Sequence, residues 1–272
     1  MDLITSTRMY DVAPAARDAW HALLQAAHAR AGLRVRFIEH GWPTPIGELW
    51  DRPGLCGAFM CGWPYVAALR AGRPFRTIAS VAPDWPAYEG LPRYRSEFLV
   101  RADCGWQSLA EAAGSRYGWM VRDSQSGWNA PRAALARMAP AGAALFAASK
   151  GPYGNPRGLL RALADGEIDL TAADGWYLDL LRVHDPAALA GLRTLAYTPW
   201  TPNPLLVAGP GVDPAAAQAL ADALLTMHED PSHAPLLRAA HVARFTRPDP
   251  DSYTVLEDMA QAAAAAGYPE IR

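Results

Sequence analysis

Short apolar segments alternate with longer amphipathic segments along most of the chain, and this alternation constrains the fold most. Residues 33–39 alternate apolar and polar side chains as a strand does, whereas residues 14–30 and 214–227 have helical periodicity. Strands that alternate with helices form α/β layers, in which ligands bind at the carboxyl ends of the strands. The sequence therefore predicts an α/β protein. Further elements predicted near candidate sites are strands at 55–60, 117–121, 144–148 and 168–173, and helices at 66–71, 157–164 and 175–181.

The amino-acid composition limits the classes of partner that the chain can bind. The chain has 272 residues, 51% of them hydrophobic, so it can bury a core without disulfides or metals. Its formal net charge of −2 provides no basic surface for nucleic acid. The sequence has no apolar run of about 18 residues, so it predicts no membrane-embedded segment. The start, MDLITSTRMYD, lacks a signal-peptide pattern. We therefore expect a cytoplasmic protein if Met1 is the native start and a periplasmic one if a leader was trimmed.

No cofactor, metal ligand or catalytic residue is predicted. Cys56, Cys61 and Cys104 cannot all pair and lack the paired spacing of a zinc site, so we expect buried small hydrophobic residues. The sequence has no Walker loop, dinucleotide fingerprint or Ser–His–Asp elbow, although a triad assembled in space stays open. The histidines are scattered. His40 ends a strand, and a solvated turn histidine is its alternative interpretation.

The stretch YGWMVRDSQSGWNAPRAAL predicts a strand, a polar turn and the start of a helix. Backbone N–H groups are unpaired at a helix N-terminus and the helix dipole is positive there, so such a turn can bind an anion. Ser124 and Ser126 add hydroxyl donors on either side of Gln125, and Gly127 permits close approach of a ligand. The alternative is that a serine merely caps the helix.

Other strand ends carry aromatic, amide and acidic side chains that suit a small polar ligand. Each has a structural alternative. Trp63 and Tyr65 can close a turn, and Asp174 can cap a helix. The loop around residues 153–155 is explained by its Gly and Pro content. The candidate ligand-binding residues outside the turn are Tyr10, Trp63, Tyr65, Trp128, Tyr153, Asn155, Asp174 and Trp176.

The order of segments resembles the substrate-binding proteins of phosphate-, phosphite- and phosphonate-type ABC transporters. YRSEFLVRADCGWQSLAEAAGSRYGWMVRDSQSGWNAPRAAL is similar to the family's strand, helix, strand and phosphate-binding turn. LLRALADGEIDLTAAD is similar to its next helix and the strand with a cleft aspartate, and TPNPLLVAGPGVDP to the segment that returns to the first lobe. The resemblance covers residues 3–228.

This resemblance implies a two-lobed type II periplasmic-binding-protein-like fold, with a ligand cleft between the lobes and two crossover strands. Lobe 1 would comprise residues 1–95 and 200–272, and lobe 2 residues 96–199. The hinges would fall near 92–97 and 198–203.

The same resemblance implies roles for individual residues. Ser124, Gln125 and Ser126 would hold an anionic or polar head group, Tyr65 would face it from lobe 1, and Asp174 would lie across the cleft. The chain lacks the histidine that the family often has in the loop around residues 149–155. With the bulk of two tryptophans, Trp63 and Trp128, this departure favours a ligand that has an aromatic or apolar part.

The implied function is capture of a small anionic or polar ligand, phosphonate-like or related, by lobe closure, with an ABC permease as partner and no turnover. The alternative is a cytoplasmic enzyme or ligand sensor on the same fold, similar to chorismate-dehydratase-like or pyrimidine-synthesis proteins.

Overall fold

A computed structural model describes residues 2–139 and 143–272, which form a mixed α/β structure. In chain order its first elements are β1 (Leu3–Thr5), α1 (Pro14–Arg30), β2 (Val35–Phe37), α2 (Gly47–Trp50), β3 (Cys56–Met60), α3 (Gly62–Arg70), β4 (Arg76–Pro83), β5 (Arg93–Tyr94) and β6 (Ser96–Arg101). Then follow β7 (Arg116–Gly118), α4 (Ala130–Ala136), β8 (Ala148–Lys150), α5 (Pro156–Ala164), β9 (Leu170–Asp174), α6 (Gly175–His184) and β10 (Leu192–Tyr197). The last are β11 (Thr201–Pro202), β12 (Leu205–Ala208), α7 (Pro214–Leu225), α8 (Ala234–Ala239), β13 (Val242–Thr246) and α9 (Thr254–Ala265).

The chain divides into two compact units. Unit 1 comprises Met1–Arg93 and Pro202–Ser252, and unit 2 comprises Tyr94–Thr201 and Tyr253–Arg272. The short strands β5 and β11 pair in a two-stranded sheet of their own. No helix in the described part of the chain is both long and apolar enough to span a membrane.

Unit 1 contains a four-stranded sheet of order β13-β4-β12-β3, in which the paired neighbours are antiparallel. Strands β1 and β2 pair in parallel, and Ile4 of β1 makes a parallel bridge to Leu55, just before β3. The strands β1, β2 and β3 therefore point the same way and end at one edge. Trp20 of α1 packs its ring edge-on against Phe59 of β3, with ring centroids 5.0 Å apart.

Unit 2 contains a five-stranded sheet of order β10-β6-β9-β7-β8. Strand β7 is parallel to both β8 and β9, whereas β6 is antiparallel to its two neighbours. The carboxyl ends of β7, β8 and β9 consequently share one edge, which we call the unit 2 edge. Fully buried side chains such as Phe98, Tyr117 and Leu170 form the core behind it.

The C-terminal segment belongs to unit 2, whereas the division expected from the sequence placed all of 200–272 in the first lobe. Ala263, Tyr268 and Ile271 are part of the unit 2 core. The Leu145 N–H donates a hydrogen bond to the Arg272 carbonyl at 2.6 Å. The chain thus passes between the units at 252–253 as well as at 93–94 and 201–202.

Several element boundaries differ from the sequence expectation. Strand β7 ends at Gly118 rather than at residue 121, and β8 begins at Ala148, where the predicted strand ended. Helix α3 begins at Gly62 rather than at residue 66, because a proline is tolerated in the first turn of a helix. Strand β13 was not predicted. Of the three cysteines, Cys104 is only partly buried, because it follows β6 in a turn.

Candidate functional site

Three predicted segments follow the parallel strands of unit 2 and begin at the unit 2 edge. Two backbone hydrogen bonds join the first two segments: Tyr153 N–H donates to the Trp119 carbonyl at 3.2 Å, and Gly154 N–H to the Met120 carbonyl at 3.1 Å. The predicted residues in these segments are Ser124, Gln125, Ser126, Gly127 and Trp128 after β7, Tyr153 and Asn155 after β8, and Asp174 and Trp176 at the end of β9.

The polar turn opens a helix, and its two serines have different surroundings. Residues 125–129 form a π-helical turn that continues directly into α4. The Ser124 hydroxyl oxygen accepts the Gly127 N–H at 2.9 Å and so caps the helix. The Ser126 hydroxyl makes no hydrogen bond to any residue that the structure describes, and this side chain is 6% exposed. Ser126 is therefore the hydroxyl of the turn that remains available to a ligand.

The Gln125 side chain is part of a structural network. Its amide oxygen accepts the Asn129 side-chain N–H at 2.8 Å, and the same Asn129 group donates to the Leu256 carbonyl at 2.8 Å. Gln125 and Asn129 are both fully buried. Gln125 is thus placed to hold the turn against α9, and only its backbone N–H has the orientation of a helix N-terminus.

Trp128 belongs to the unit 2 core and is 6% exposed. Its ring packs edge-on against Trp119, with centroids 5.1 Å apart, and the Arg122 guanidinium lies over both rings. Arg122 also pairs with Glu270. Trp128 therefore anchors the turn to the core of unit 2 and exposes little surface to a ligand.

The loop after β8 places Tyr153 and Asn155 beside the turn. The Tyr153 hydroxyl donates to a Glu167 carboxylate oxygen at 3.3 Å, and burial together with this carboxylate raises the pKa of Tyr153. The Asn155 side chain accepts the Gly158 N–H at 2.9 Å and caps α5. Both side chains are half-buried, and Tyr153 is the one that has an aromatic ring.

At the end of β9, Asp174 caps α6 by accepting the Tyr177 N–H at 3.0 Å, and it is half-buried. Trp176 is completely buried in the core, so it lies behind the edge and not on it. The neighbouring strand carries Glu97, a buried carboxylate that sequence reasoning missed. It accepts two hydrogen bonds from Arg182, at 2.7 and 2.9 Å, and this pairing raises the pKa of Arg182.

The predicted residues of unit 1 follow β1 and β3. Tyr10 is 1% exposed and packs edge-on against Phe59, with centroids 4.9 Å apart, so it is a core residue. Tyr65 is likewise buried in the first turns of α3, and burial raises its pKa. Trp63 is partly exposed at the start of that helix. Trp63 is thus the most accessible of the three.

The guanidinium of Arg8, which lies at the strand end from which sequence reasoning selected Tyr10, contacts His40 between the ends of β1 and β2. The signal that could have found the pair was the position of each residue just after a strand. In the described part of the chain, no group of three or more His, Cys, Asp or Glu side chains could hold a metal ion.

Comparison with protein families identifies a match over most of the chain. The model of a family described as the periplasmic substrate-binding protein of the phosphonate ABC transporter matches residues 58–253, most of the chain. This family consists of binding proteins and not of enzymes, so the enzyme alternative is not favoured. No curated protein sequence matches the chain.

Solved structures with the same fold include three bacterial proteins. A binding-protein component of a Pseudomonas aeruginosa ABC phosphonate transporter has a TM-score of 0.78 at 15% identity, covering 97% of this chain and 87% of that one. Prochlorococcus marinus PhnD1, solved with methylphosphonate, has a TM-score of 0.77 at 16% identity, covering 95% and 97%. A Xanthomonas citri protein bound to chloride has a TM-score of 0.70 at 20% identity, covering 97% and 98%. The fold is therefore that of two-lobed periplasmic binding proteins.

Proposed function

Because the chain belongs to the periplasmic substrate-binding proteins of phosphonate ABC transporters, we propose that it captures a small oxyanion, phosphonate-like or related. In this proposal the turn at residues 124–128 holds the anionic head group. The observation that carries the proposal is the Ser126 hydroxyl, which has no hydrogen-bond partner in the described chain and lies in the first turn of a helix. Unpaired N–H groups and a positive dipole end at the same place favour an anion.

The remaining candidate contacts fall into two groups by accessibility. The partly exposed residues keep the role of ligand contacts: Trp63, Tyr153, Asn155 and Asp174. Tyr10, Trp128 and Trp176 are buried, and we assign them to support of the site. An apolar part of the ligand would therefore meet Trp63 and the Tyr153 ring. This is a smaller apolar surface than the sequence suggested.

Capture is proposed to follow the family's pattern. We propose that lobe closure, with hinges near 92–97 and 198–203, encloses the ligand, because only the closed state completes its contacts. The protein would act in the periplasm and deliver the ligand to an ABC permease. We also keep Tyr65 as a proposed ligand contact, on the basis of the sequence resemblance.

Replacing Ser124 and Ser126 together by alanine should weaken ligand binding by about 1–3 kcal/mol, because charge-assisted hydrogen bonds to the anion are lost. A thermal-shift screen of phosphonates, sulfonates, carboxylates and pyrimidines selects the ligand, with methylphosphonate as the first probe. Calorimetric titration of the double variant then measures the loss.

The single variants separate binding from stability. Ser124→Ala removes a helix cap and should also lower the free energy of unfolding by about 1 kcal/mol, whereas Ser126→Ala should affect binding alone. Unchanged ligand affinity in the double variant would contradict the assignment of the turn.

A further inference from the structure

Arg8 and His40 follow neighbouring parallel strands of unit 1. Arg8 lies just after β1 and His40 just after β2, and these two strands pair in parallel. The Arg8 Nη1 group is in hydrogen-bonding contact with His40 Nδ1. The pair therefore stands at the carboxyl ends of parallel strands, where α/β proteins bind their ligands.

The charge of Arg8 is not neutralised by an ion pair. In residues 2–139 and 143–272, no carboxylate lies within ion-pair distance of its guanidinium, which is partly buried. Burial lowers the pKa of Arg8, and the carboxylate of Glu48, which is farther away, opposes this effect. A guanidinium carries five N–H donors in a planar fork. The contact with His40 uses one of them, so others can bind an oxyanion.

His40 acts on Arg8 as a fixed acceptor. Because a guanidinium can only donate, the Nδ1 atom of His40 accepts, and the neutral ring carries its hydrogen on Nε2. Burial lowers the pKa of His40, and the charges of Arg8 and Arg52 lower it further, against the opposing effects of Glu48 and of the backbone of His40 itself. The side chain is 8% exposed, and its Nε2 atom has no hydrogen-bond partner among the described residues. The imidazole thus contacts Arg8 through Nδ1, and its single N–H donor, on Nε2, is unpaired among the described residues.

We propose that Arg8 binds an oxyanion group of the ligand, a carboxylate, phosphonate or phosphate, and that His40 is the positioning residue that orients Arg8 for this contact. A charge that is partly buried without a carboxylate partner is stabilised when an anion binds to it. The inference rests on the proposed function only in assigning this oxyanion to the captured solute. The binding point itself lies within unit 1.

A titration followed by nuclear magnetic resonance tests the proposal. The imidazole ¹⁵N resonances of His40, assigned with a His40→Asn variant, are recorded while inorganic phosphate or acetate is added at constant ionic strength set with sodium chloride. We expect a saturable shift with at least one anion, and the tighter one identifies the preferred group. Arg8→Gln, whose amide can still donate to His40, should weaken binding about tenfold or more. Arg36→Gln, on the exposed face of β2, is the matched control and should leave the affinity unchanged.

The role of His40 is tested by rescue. His40→Asn offers Arg8 an amide oxygen and should keep most of the anion affinity measured by calorimetry, whereas His40→Ala should lose several-fold. A wild-type His40 resonance that phosphate and acetate both leave unmoved overturns the proposal, and so does an equal loss in the Arg8 and Arg36 variants. The double variant at Ser124 and Ser126 should keep the His40 response. Failure of the turn to bind methylphosphonate would therefore count against the proposed function and not against Arg8.

Discussion

Single side chains in the turn at residues 124–128 have separate tasks that their residue types alone do not reveal. Ser124 and Ser126 are both buried serines, but only the Ser124 hydroxyl is engaged by the backbone, at Gly127. A hydroxyl already engaged with the helix contributes less to ligand binding than one without a partner. The division of roles follows from where each residue falls relative to the first helical turn.

Gly127 lies where the structure has no room for a side chain. A Cβ atom there would lie 2.9 Å from Met120 Cβ and 3.1 Å from the Ser124 hydroxyl oxygen. Gly127→Ala should therefore lower the free energy of unfolding by about 1–3 kcal/mol, measured by urea denaturation. Gly105→Ala is the control, because a Cβ there meets nothing within 4 Å. Equal stability of the two variants would show that the turn is looser than described.

Among the elements, α9 and the residues that follow it make hydrogen bonds with the turn and with α4. Arg132 of α4 is 7% exposed and donates hydrogen bonds to the carbonyls of Pro269 at 2.9 Å and Ala260 at 3.4 Å. Asn129 makes the equivalent contact to Leu256. The C-terminal segment thus pairs buried donors of the turn and of α4 with its own carbonyl groups.

Asn129→Ala should destabilise the protein by about 1–3 kcal/mol, because it leaves the Gln125 amide oxygen and the Leu256 carbonyl without this buried donor. The measurement is chemical denaturation. Gln218→Ala is the control, since among the described residues that side chain bonds only to Asp222, on an exposed surface. A loss in the control as large as in the Asn129 variant would argue against the network.

Sequence reasoning predicted the positions of the secondary-structure elements better than the contacts between them. The alternation of periods predicted that residues 124–128, 153–155 and 174–176 follow strands, because periodicity is a local property. It did not predict that α9 packs on α4, since this depends on contacts between positions more than 120 residues apart. Strand β13 was not predicted, because its partly exposed residues form no clear apolar run.

At the scale of the whole molecule, groups with shifted pKa values make the stability of the fold depend on pH. Burial lowers the pKa values of His28, His40 and His241, all of which lie in unit 1. The unfolded chain then binds protons at a higher pH than the folded one, so acid favours unfolding. In unit 2, Arg116 lowers the pKa of Asp169 from 3.8, so stability from that pair is lost only at a lower pH.

The free energy of unfolding should therefore be largest above the unfolded histidine pKa of 6.5 and should decrease as the pH falls through it. Urea denaturation at pH ~8 and pH ~5.5 measures the change. His28→Gln, which replaces a fully buried imidazole by a side chain that does not titrate, should show a smaller dependence. Stability that is equal or greater at the lower pH would contradict this assignment.

The sequence by itself determined the α/β class, the family and the strand ends that carry polar residues, because these depend on periodicity and on the order of short motifs. Only the tertiary structure decided which of those residues remain accessible. In the structure, Tyr10 and Trp176 are buried, and Arg8 lies beside His40. Three of the polar side chains cap helices: Ser124, Asn155 and Asp174. Accessibility and pairing depend on what other segments place around a side chain, and neighbouring residues in the chain do not specify that.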